Sequence, residues 1–331
     1  MGRNLAFSGF TLRRAWIIMM GQISMEMEKF MDLYNKLCDI SGAGHVLIDE
    51  PMSRHTTFRI GGPADYFVTP SEKEEVRAVI ELCRSEGIPY YVMGNGSNLL
   101  VGDKGYRGVI IQIFKEMNGI RTEGTKITAQ AGALLSKIAA AAYEAELSGF
   151  EFASGIPGTL GGAVRMNAGA YGGEMKQVLK SADVLTTEGE VLTLSTEEMG
   201  LGYRTSIVSK MDYVVLEAVI GLERGEKDEI RAKMDDLKER RVTKQPLEFG
   251  SAGSTFKRPG GYFAGKLIED AGLRGFRVGD AQVSEKHCGF VINRGKATAA
   301  QVRELMDQVI ERVEKNSGVR LEPEVKKIGE F

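Results

Sequence analysis

Apolar positions along this chain recur in two periods, one near 3.6 residues and one of 2, and the switches between them mark out its elements. From Glu28, the residues Phe30, Leu33, Tyr34 and Leu37 share one helical face and predict a short docking helix that ends near Gly42. "TTFRIGGPADYFVTP" then alternates apolar and polar residues around a Gly-Gly-Pro turn, which reads as strands. In "SEKEEVRAVIELCRSEG" the helical period returns. Val76, Val79, Ile80 and Cys83 line one face, Ser71 and Glu74 form a capping box, and Gly87 stops the helix. "YYVM" after Pro89, "YRGVIIQI" and "KITAQAG" are strand-like, followed by an alanine-rich helix from Leu134 to Leu147 with Gly149 as its stop.

"SADVLTTEGEVLTLS" reads as a hairpin turning at Glu188-Gly189, and "YVVLEAVIGL" as a buried strand. At "ERGEKDEIRAKMDDLKERRVTKQP" a charged helix begins and glycine thins out, which places a domain boundary near Gly221 to Gly225. Beyond it come a strand at "GFVIN", a helix from Thr298 with Val302, Leu305, Met306, Val309, Ile310 and Val313 on one face, and Gly318 past its end. "VRLEPEVKKIG" closes as an extended segment, with Pro323 marking an edge or an irregularity. The mixture predicts an α+β architecture.

Composition narrows the function classes. The 331 residues suffice for two or three domains, and 43 basic against 45 acidic residues leave a net charge of -2 without long blocks of either sign, which disfavours a general nucleic-acid binder. Cys38, Cys83 and Cys288 are scattered and odd in number, and His45, His55 and His287 lack ligand spacing, so neither a disulfide framework nor a metal site is signalled. A reducing, cytoplasmic setting fits. "LRRAWIIMM" imitates a signal peptide, but its apolar run Ala15 to Met20 is short and no small-residue cleavage site follows. No apolar stretch could span a membrane. With Met25 and Met27 as alternative starts before the amphipathic segment, the first ~24 residues are expected to lie outside the fold.

The 41 glycines concentrate in loops, above all "SGIPGTLGGAVRMNAGAYGG" at 154–173 and "GNGSN" at 94–98. Glycine at such density admits positive φ or a close approach to the main chain, and consecutive N–H groups after a strand can nest an anion. No G-x-G-x-x-G follows a strand, and in "GGYFAGKL" Leu267 stands where a P-loop needs Ser or Thr, so that stretch reads as a helix start. Two separated glycine loops without a Rossmann signature suit a large extended ligand such as a dinucleotide. Taken alone, Arg204 in "GYRTS" reads as a surface arginine, though its fork would suit a carboxylate. Ser254 in "FGSAGSTFKRPGG" lies close to Lys257 and Arg258, outside any G-x-S-x-G frame. Its plainest reading is a solvated turn, and nothing in position alone singles out Glu322 or Glu324.

In order along the chain, "TTFRIGGPADYF", "GNGSNLL", "SGIPGTLGGAVRMNAGAYGGE", "GYRTS", "GSTFKRP", "AGKLIEDAGLRG" and "LEPEVKKIG" resemble the UDP-N-acetylenolpyruvoylglucosamine reductase family, from about residue 40 to the C-terminus. The resemblance implies a vanillyl-alcohol-oxidase (PCMH)-type FAD-binding fold with an N-terminal extension and docking helix at 1–45, FAD subdomains at 46–115 and 116–220, and an α+β substrate domain at 221–331. The short interval from "GYRTS" to "VVLE" is similar to the subclass without an inserted tyrosine loop. It implies FAD as cofactor and NADPH as co-substrate, a UDP-sugar substrate in peptidoglycan synthesis, a cytoplasmic monomer, and no nucleic-acid, membrane or metal partner. Carried onto this chain, the catalytic residues are Arg204, Ser254 and Glu324, and the substrate contacts Tyr203, Lys244 and Arg258. The FAD contacts are Gly94, Asn95, Gly96, Ser97, Asn98, Gly132, Gly155, Ile156, Pro157, Gly158, Gly161 and Gly162. Arg258 stands where some members have asparagine. Two other readings compete: an FAD oxidase of the same fold with another substrate, and a nucleotide-sugar-binding regulator without redox chemistry.

Overall fold

The structure, a computed structural model, describes residues 27–331; the expectations for the first ~24 residues and the start at Met25 lie outside the described residues. Helix α1 (27–41) buries Leu33 and Leu37 against Val46 and Tyr66, and Tyr66 Oη donates to the Phe30 carbonyl at 2.9 Å. The expected docking helix is therefore part of the main core.

The first layer holds β1 (Val46–Pro51), β2 (Pro63–Val68), α2 (Lys73–Ser85), β3 (Tyr90–Met93), β4 (Leu99–Val101) and β5 (Tyr106–Gln112). Its sheet runs β1-β2-β5-β3, with β1 antiparallel to β2 and the other pairs parallel. The strand opposite β2 is Val46–Pro51 and not "TTFRI". Thr56 to Ile60 instead form a turn, closed by Arg59 N donating to the Thr56 carbonyl at 3.0 Å, and Phe58 and Ile60 are buried in the core of the third layer. Two apolar residues spaced by two had imitated a strand. At α2, Ser71 meets Glu75 and not Glu74: its N–H and hydroxyl donate to the two carboxylate oxygens at 2.9 and 2.8 Å.

The second layer comprises β6 (Ile120–Glu123), β7 (Lys126–Gln130), α3 (Leu135–Glu144), β8 (Leu147–Ser148), α4 (Leu160–Arg165), β9 (Gly169–Ala170), β10 (Gly173–Glu174), α5 (Met175–Val178), β11 (Leu179–Leu185), β12 (Val191–Ser195), α6 (Ile207–Lys210), β13 (Val214–Gly221), β14 (Glu223–Arg224) and α7 (Lys227–Lys244). Its antiparallel sheet runs β12-β11-β13-β7-β6. Helix α3 stops before Leu147 because Glu146 turns left-handed at φ 56° and Leu147 joins β8, so Gly149 is not its stop. The charged helix α7 packs on α3 and β8, and Lys233 Nζ pairs with the buried Glu151 at 3.1 Å. By its packing α7 goes with this layer.

In the third layer, β15 (Gly250–Ser254), α8 (Ala264–Asp270), β16 (Arg277–Val278), β17 (Ala281–Val283), β18 (Phe290–Asn293) and α9 (Ala299–Ser317) form an antiparallel β15-β18-β17-β16 sheet backed by helices. Helix α9 begins at a Thr298–Gln301 capping box and ends at Gly318 with φ 71°. The Asp103 carboxylate of the first layer accepts its Ala299 and Ala300 N–H groups at 2.7 and 2.8 Å, a favourable use of the helix dipole. The last strand, β19 (Lys326–Ile328), crosses back to pair in parallel with β4. That crossing sets the position of Glu324.

Candidate active site

Two clefts open where these layers meet. The first, about 390 Å³, lies between the first and second sheets, walled by Tyr91, Val92, Ile113, Val215, Gly161 and Gly162. Both glycine loops reach it and touch each other: Asn95 Nδ2 donates to the Pro157 carbonyl at 3.0 Å. Their close approaches are partly to the protein itself. A Cβ on Gly94 would collide with Thr159 Oγ1, and one on Gly155 would lie 2.7 Å from Arg241 Nε. Of the expected FAD contacts, Gly94, Gly161 and Gly162 line this cleft. Asn95, Gly96, Ser97, Asn98, Gly155, Ile156, Pro157 and Gly158 are in the two touching loops outside its lining, and Gly132 packs on the carbonyls of Phe114 and Met117.

The fit to FAD rests on three features: a slot walled by valines, Ile113 and tyrosines, loops rich in main-chain N–H, and Arg241. That arginine is half-buried beside Gly155, burial holds its guanidinium below the usual arginine range, and its described neighbour is the Tyr171 hydroxyl and not a carboxylate. A buried cation without a counter-charge beside such loops suits a diphosphate. Nothing in the sequence pattern of α7 distinguished Arg241 from the exposed charges around it. Arg165, which also lines the slot, is held by the carbonyls of Val208 and Tyr213 and by Asp212 at 2.9 Å.

The second cleft, about 410 Å³, gathers Arg204, Ser254 and Glu324 from three separate stretches of chain. Arg204 sits on a tight turn in which Gly202 and Thr205 exchange backbone hydrogen bonds at 3.0 and 3.2 Å. Its φ of 54° is uncommon for a residue other than glycine and stores local strain. The turn is tied to the glycine-rich segment, since Asn167 Nδ2 donates to the Gly202 carbonyl and Ser206 Oγ to the Arg165 carbonyl. Ser254 ends β15, exposed, opposite Phe290 of β18. Glu324 is brought beside it through its own main chain: its N–H donates to the Thr255 carbonyl at 2.8 Å, and its carbonyl accepts from Asn98 Nδ2 at 3.2 Å. Asn98 of the "GNGSN" loop thus also braces the acid of the other cleft.

Arg204 Nε lies 2.6 Å from Glu324 Oε1, yet the buried Nε–H makes no aligned hydrogen bond. The contact is one of charge. Burial pushes the Glu324 carboxyl above the usual carboxylate range, with Arg204 opposing. Tyr203 and Arg258 line this cleft, whereas Lys244, at the exposed end of α7, does not. Two lysines do, Lys266 and Lys286, the latter donating its Nζ to the Val242 carbonyl at 2.7 Å; His287, Arg274 and Phe263 join them, none singled out as a substrate contact by sequence. Among the described residues no cluster of His, Cys, Asp and Glu is placed to hold a metal ion.

The family described as "FAD binding domain" matches residues 64–195, and that described as "UDP-N-acetylenolpyruvoylglucosamine reductase, C-terminal domain" matches 245–328. The UDP-N-acetylenolpyruvoylglucosamine reductase of Clostridioides difficile is 53% identical over 299 residues, 90% of this chain and 98% of the relative. That of Agathobacter rectalis is 58% identical over 298 residues, 86% of this chain and 95% of the relative. The crystal structure of the reductase from Thermus caldophilus superposes with a TM-score of 0.72 at 37% identity, covering 86% of this chain and 98% of that one. On sequence, domain content and fold together, the chain belongs to the UDP-N-acetylenolpyruvoylglucosamine reductase family.

Proposed function

We propose that the chain is an FAD-dependent oxidoreductase that uses NADPH to reduce UDP-N-acetylglucosamine enolpyruvate to UDP-N-acetylmuramate for peptidoglycan synthesis. The observation that carries the residue roles is the meeting of Arg204, Ser254 and Glu324 in one cleft beside the FAD-binding layers. The two glycine loops and Arg241 would hold FAD in the first cleft. Bound there, FAD would supply the hydride chemistry between NADPH and the terminal carbon of the enolpyruvyl group.

The chain's own residues handle the charge this creates. Arg204, which lines the cleft, receives the substrate carboxylate and faces the negative charge that develops on the adjacent carbon as an enolate. Burial raises the Glu324 pKa, and in its protonated form this residue would donate to a carboxylate oxygen instead of repelling it. Ser254 delivers the proton to the adjacent carbon, completing the lactyl ether; the positive charge of Arg204 favours the serine oxygen that remains. Tyr203, Arg258 and Lys286 extend the cleft for the UDP-sugar, and Lys244 is close to it only through the end of α7.

The reaction is placed in the cytoplasm and assigned to a monomer without a nucleic-acid or membrane partner. No helix among the described residues is long and apolar enough to cross a membrane. The test is NADPH oxidation by the FAD-loaded protein: absorbance loss at the nicotinamide band that depends on the enolpyruvyl UDP-sugar supports the reading, and a protein that takes up no FAD or ignores that sugar refutes it.

A further inference from the structure

Strand β15 is an edge of the third-layer sheet, and a residue of the first layer occupies the side that β18 leaves open. Thr57 takes both outward main-chain groups of Ser251: its carbonyl accepts the Ser251 N–H at 3.1 Å, and its Oγ1 donates to the Ser251 carbonyl at 2.6 Å. The turn around Thr57 is pressed onto the strand, since a Cβ on Gly250 would lie 2.7 Å from the Phe58 carbonyl. Thr57 also bonds in the other direction. Its N–H donates to the Gly96 carbonyl at 3.2 Å, and a Cβ on Gly96 would collide with the His55 carbonyl, so the turn and the "GNGSN" loop are in direct contact. A single threonine thus joins a loop proposed to hold FAD to the strand that carries Ser254.

Between Ser251 and Ser254 the strand is irregular. Ser251 pairs with Ile292 and Ser254 with Phe290, three steps on β15 against two on β18, so one residue is extra. The excess falls at Ala252 and Gly253, the latter at φ 73° with no atom near its Cβ position. A bulge of this kind re-aims the side chain that follows it. Downstream of Ser254 the strand is held by Thr255, whose N–H donates to the Gly289 carbonyl at 2.9 Å and whose Oγ1 accepts from Val291 N at 2.9 Å. Upstream, its outer side is held by Thr57. The direction of the Ser254 side chain is therefore set between two tethers, and one of them belongs to the first layer.

We infer that Thr57 is a positioning residue for proton delivery: its hydroxyl, bonded to Ser251, fixes the bulge that aims Ser254 and ties that aim to the glycine loop at the FAD cleft. The inference rests on the proposed function and concerns how Ser254 is placed. A misplacement of about 1 Å can cost up to about 100-fold in rate, so a strand loosened at one tether should lose about 10-fold.

The experiment compares Thr57→Val, which keeps the shape and loses the hydroxyl, with Thr57→Ser, which keeps the hydroxyl, each alone and together with Ser254→Ala. In the FAD-free full chain, amide hydrogen exchange of residues 250–254 should quicken about 2- to 10-fold in Thr57→Val, the worth of one hydrogen bond, with α9 unchanged. In the FAD-loaded chain, stopped-flow reoxidation of the flavin by the enolpyruvyl UDP-sugar should slow about 10-fold, while reduction by NADPH and FAD affinity stay within about twofold of wild type. Thr57→Ser should match wild type in each measurement. With Ser254→Ala already present, Thr57→Val should change reoxidation by less than about twofold, since the group it aims is gone. Unaltered exchange or unaltered reoxidation in Thr57→Val overturns the inference. So does equal slowing of the two half-reactions, equal slowing on the Ser254→Ala background, or a Thr57→Ser as slow as Thr57→Val. Where Thr57→Val does not fold, Thr57→Ala carries the same expectations. If the wild type itself is not reoxidised by the enolpyruvyl UDP-sugar, the proposed function falls as well; a competent wild type with an indifferent Thr57→Val removes this inference alone.

Discussion

Glu324→Gln separates the charge of the buried acid from its shape. In the free protein burial raises the Glu324 carboxyl and Arg204, 2.6 Å away, pulls it partly back. A substrate carboxylate arriving within about 4 Å adds repulsion of about 4 kcal/mol at an effective dielectric of about 20, which pushes the Glu324 carboxyl further up. Arg204 serves both carboxylates and offsets part of that rise. The sign follows from linkage: the pKa is lower in the free protein than in the complex, so between the two values binding takes up a proton. The dissociation constant should be flat below the free pKa, rise by up to about tenfold per pH unit between the two, and level off above. Glutamine keeps a neutral donor and cannot titrate, so the slope should vanish while binding at low pH stays near wild type. Calorimetric titration of the oxidised FAD-loaded protein with the enolpyruvyl UDP-sugar, in buffers of different ionisation heat from about pH 5 to about pH 9, counts the proton directly. The reasoning is refuted by a wild type that takes up no proton, or by a variant that keeps the slope.

Asp103→Ala removes the carboxylate that accepts two N–H groups at the start of α9; stability should fall by about 1–2 kcal/mol, read as a lower urea midpoint, and an unshifted midpoint contradicts the cap. Gly94→Ala places a methyl on Thr159 Oγ1 and should force the glycine loops apart, so the purified protein should carry less flavin by its visible absorbance; wild-type FAD content would count against the packing described. Arg241→Met should weaken FAD by about 10- to 100-fold, the worth of a charge-assisted hydrogen bond, with the thermal midpoint of the FAD-free protein little changed; equal FAD affinity would place the diphosphate elsewhere.

Helix α9 is legible in the sequence because both ends carry local chemistry, Thr298 with Gln301 at one and Gly318 at the other, around a clean apolar stripe. Strand β1 is not, since "VLIDEP" leaves Leu47 and Ile48 exposed and only its pairing with β2 identifies it. "TTFRI" imitates a strand because alternate burial of Phe58 and Ile60 serves a contact with the third layer, which no local period encodes. The glycine loops announce themselves by composition, yet whether each glycine meets ligand or protein depends on distant partners such as Thr159 and Arg241. Arg204, Ser254 and Glu324 are recognisable only through their motifs. Taken alone they read as a surface arginine, a turn serine and an edge glutamate, and it is the β19–β4 crossing and the Thr255–Glu324 backbone bond that make them neighbours.

The central claim is that this cleft divides the work, with hydride delivered through FAD and the proton supplied by Ser254. Anaerobic stopped-flow absorbance of the flavin in Ser254→Ala tests it most directly. Reduction by NADPH should proceed at the wild-type rate, while reoxidation by the enolpyruvyl UDP-sugar should slow by at least about 100-fold, the scale of losing one group aimed at the transition state. Equal slowing of both half-reactions, or reoxidation as fast as wild type, would contradict the account.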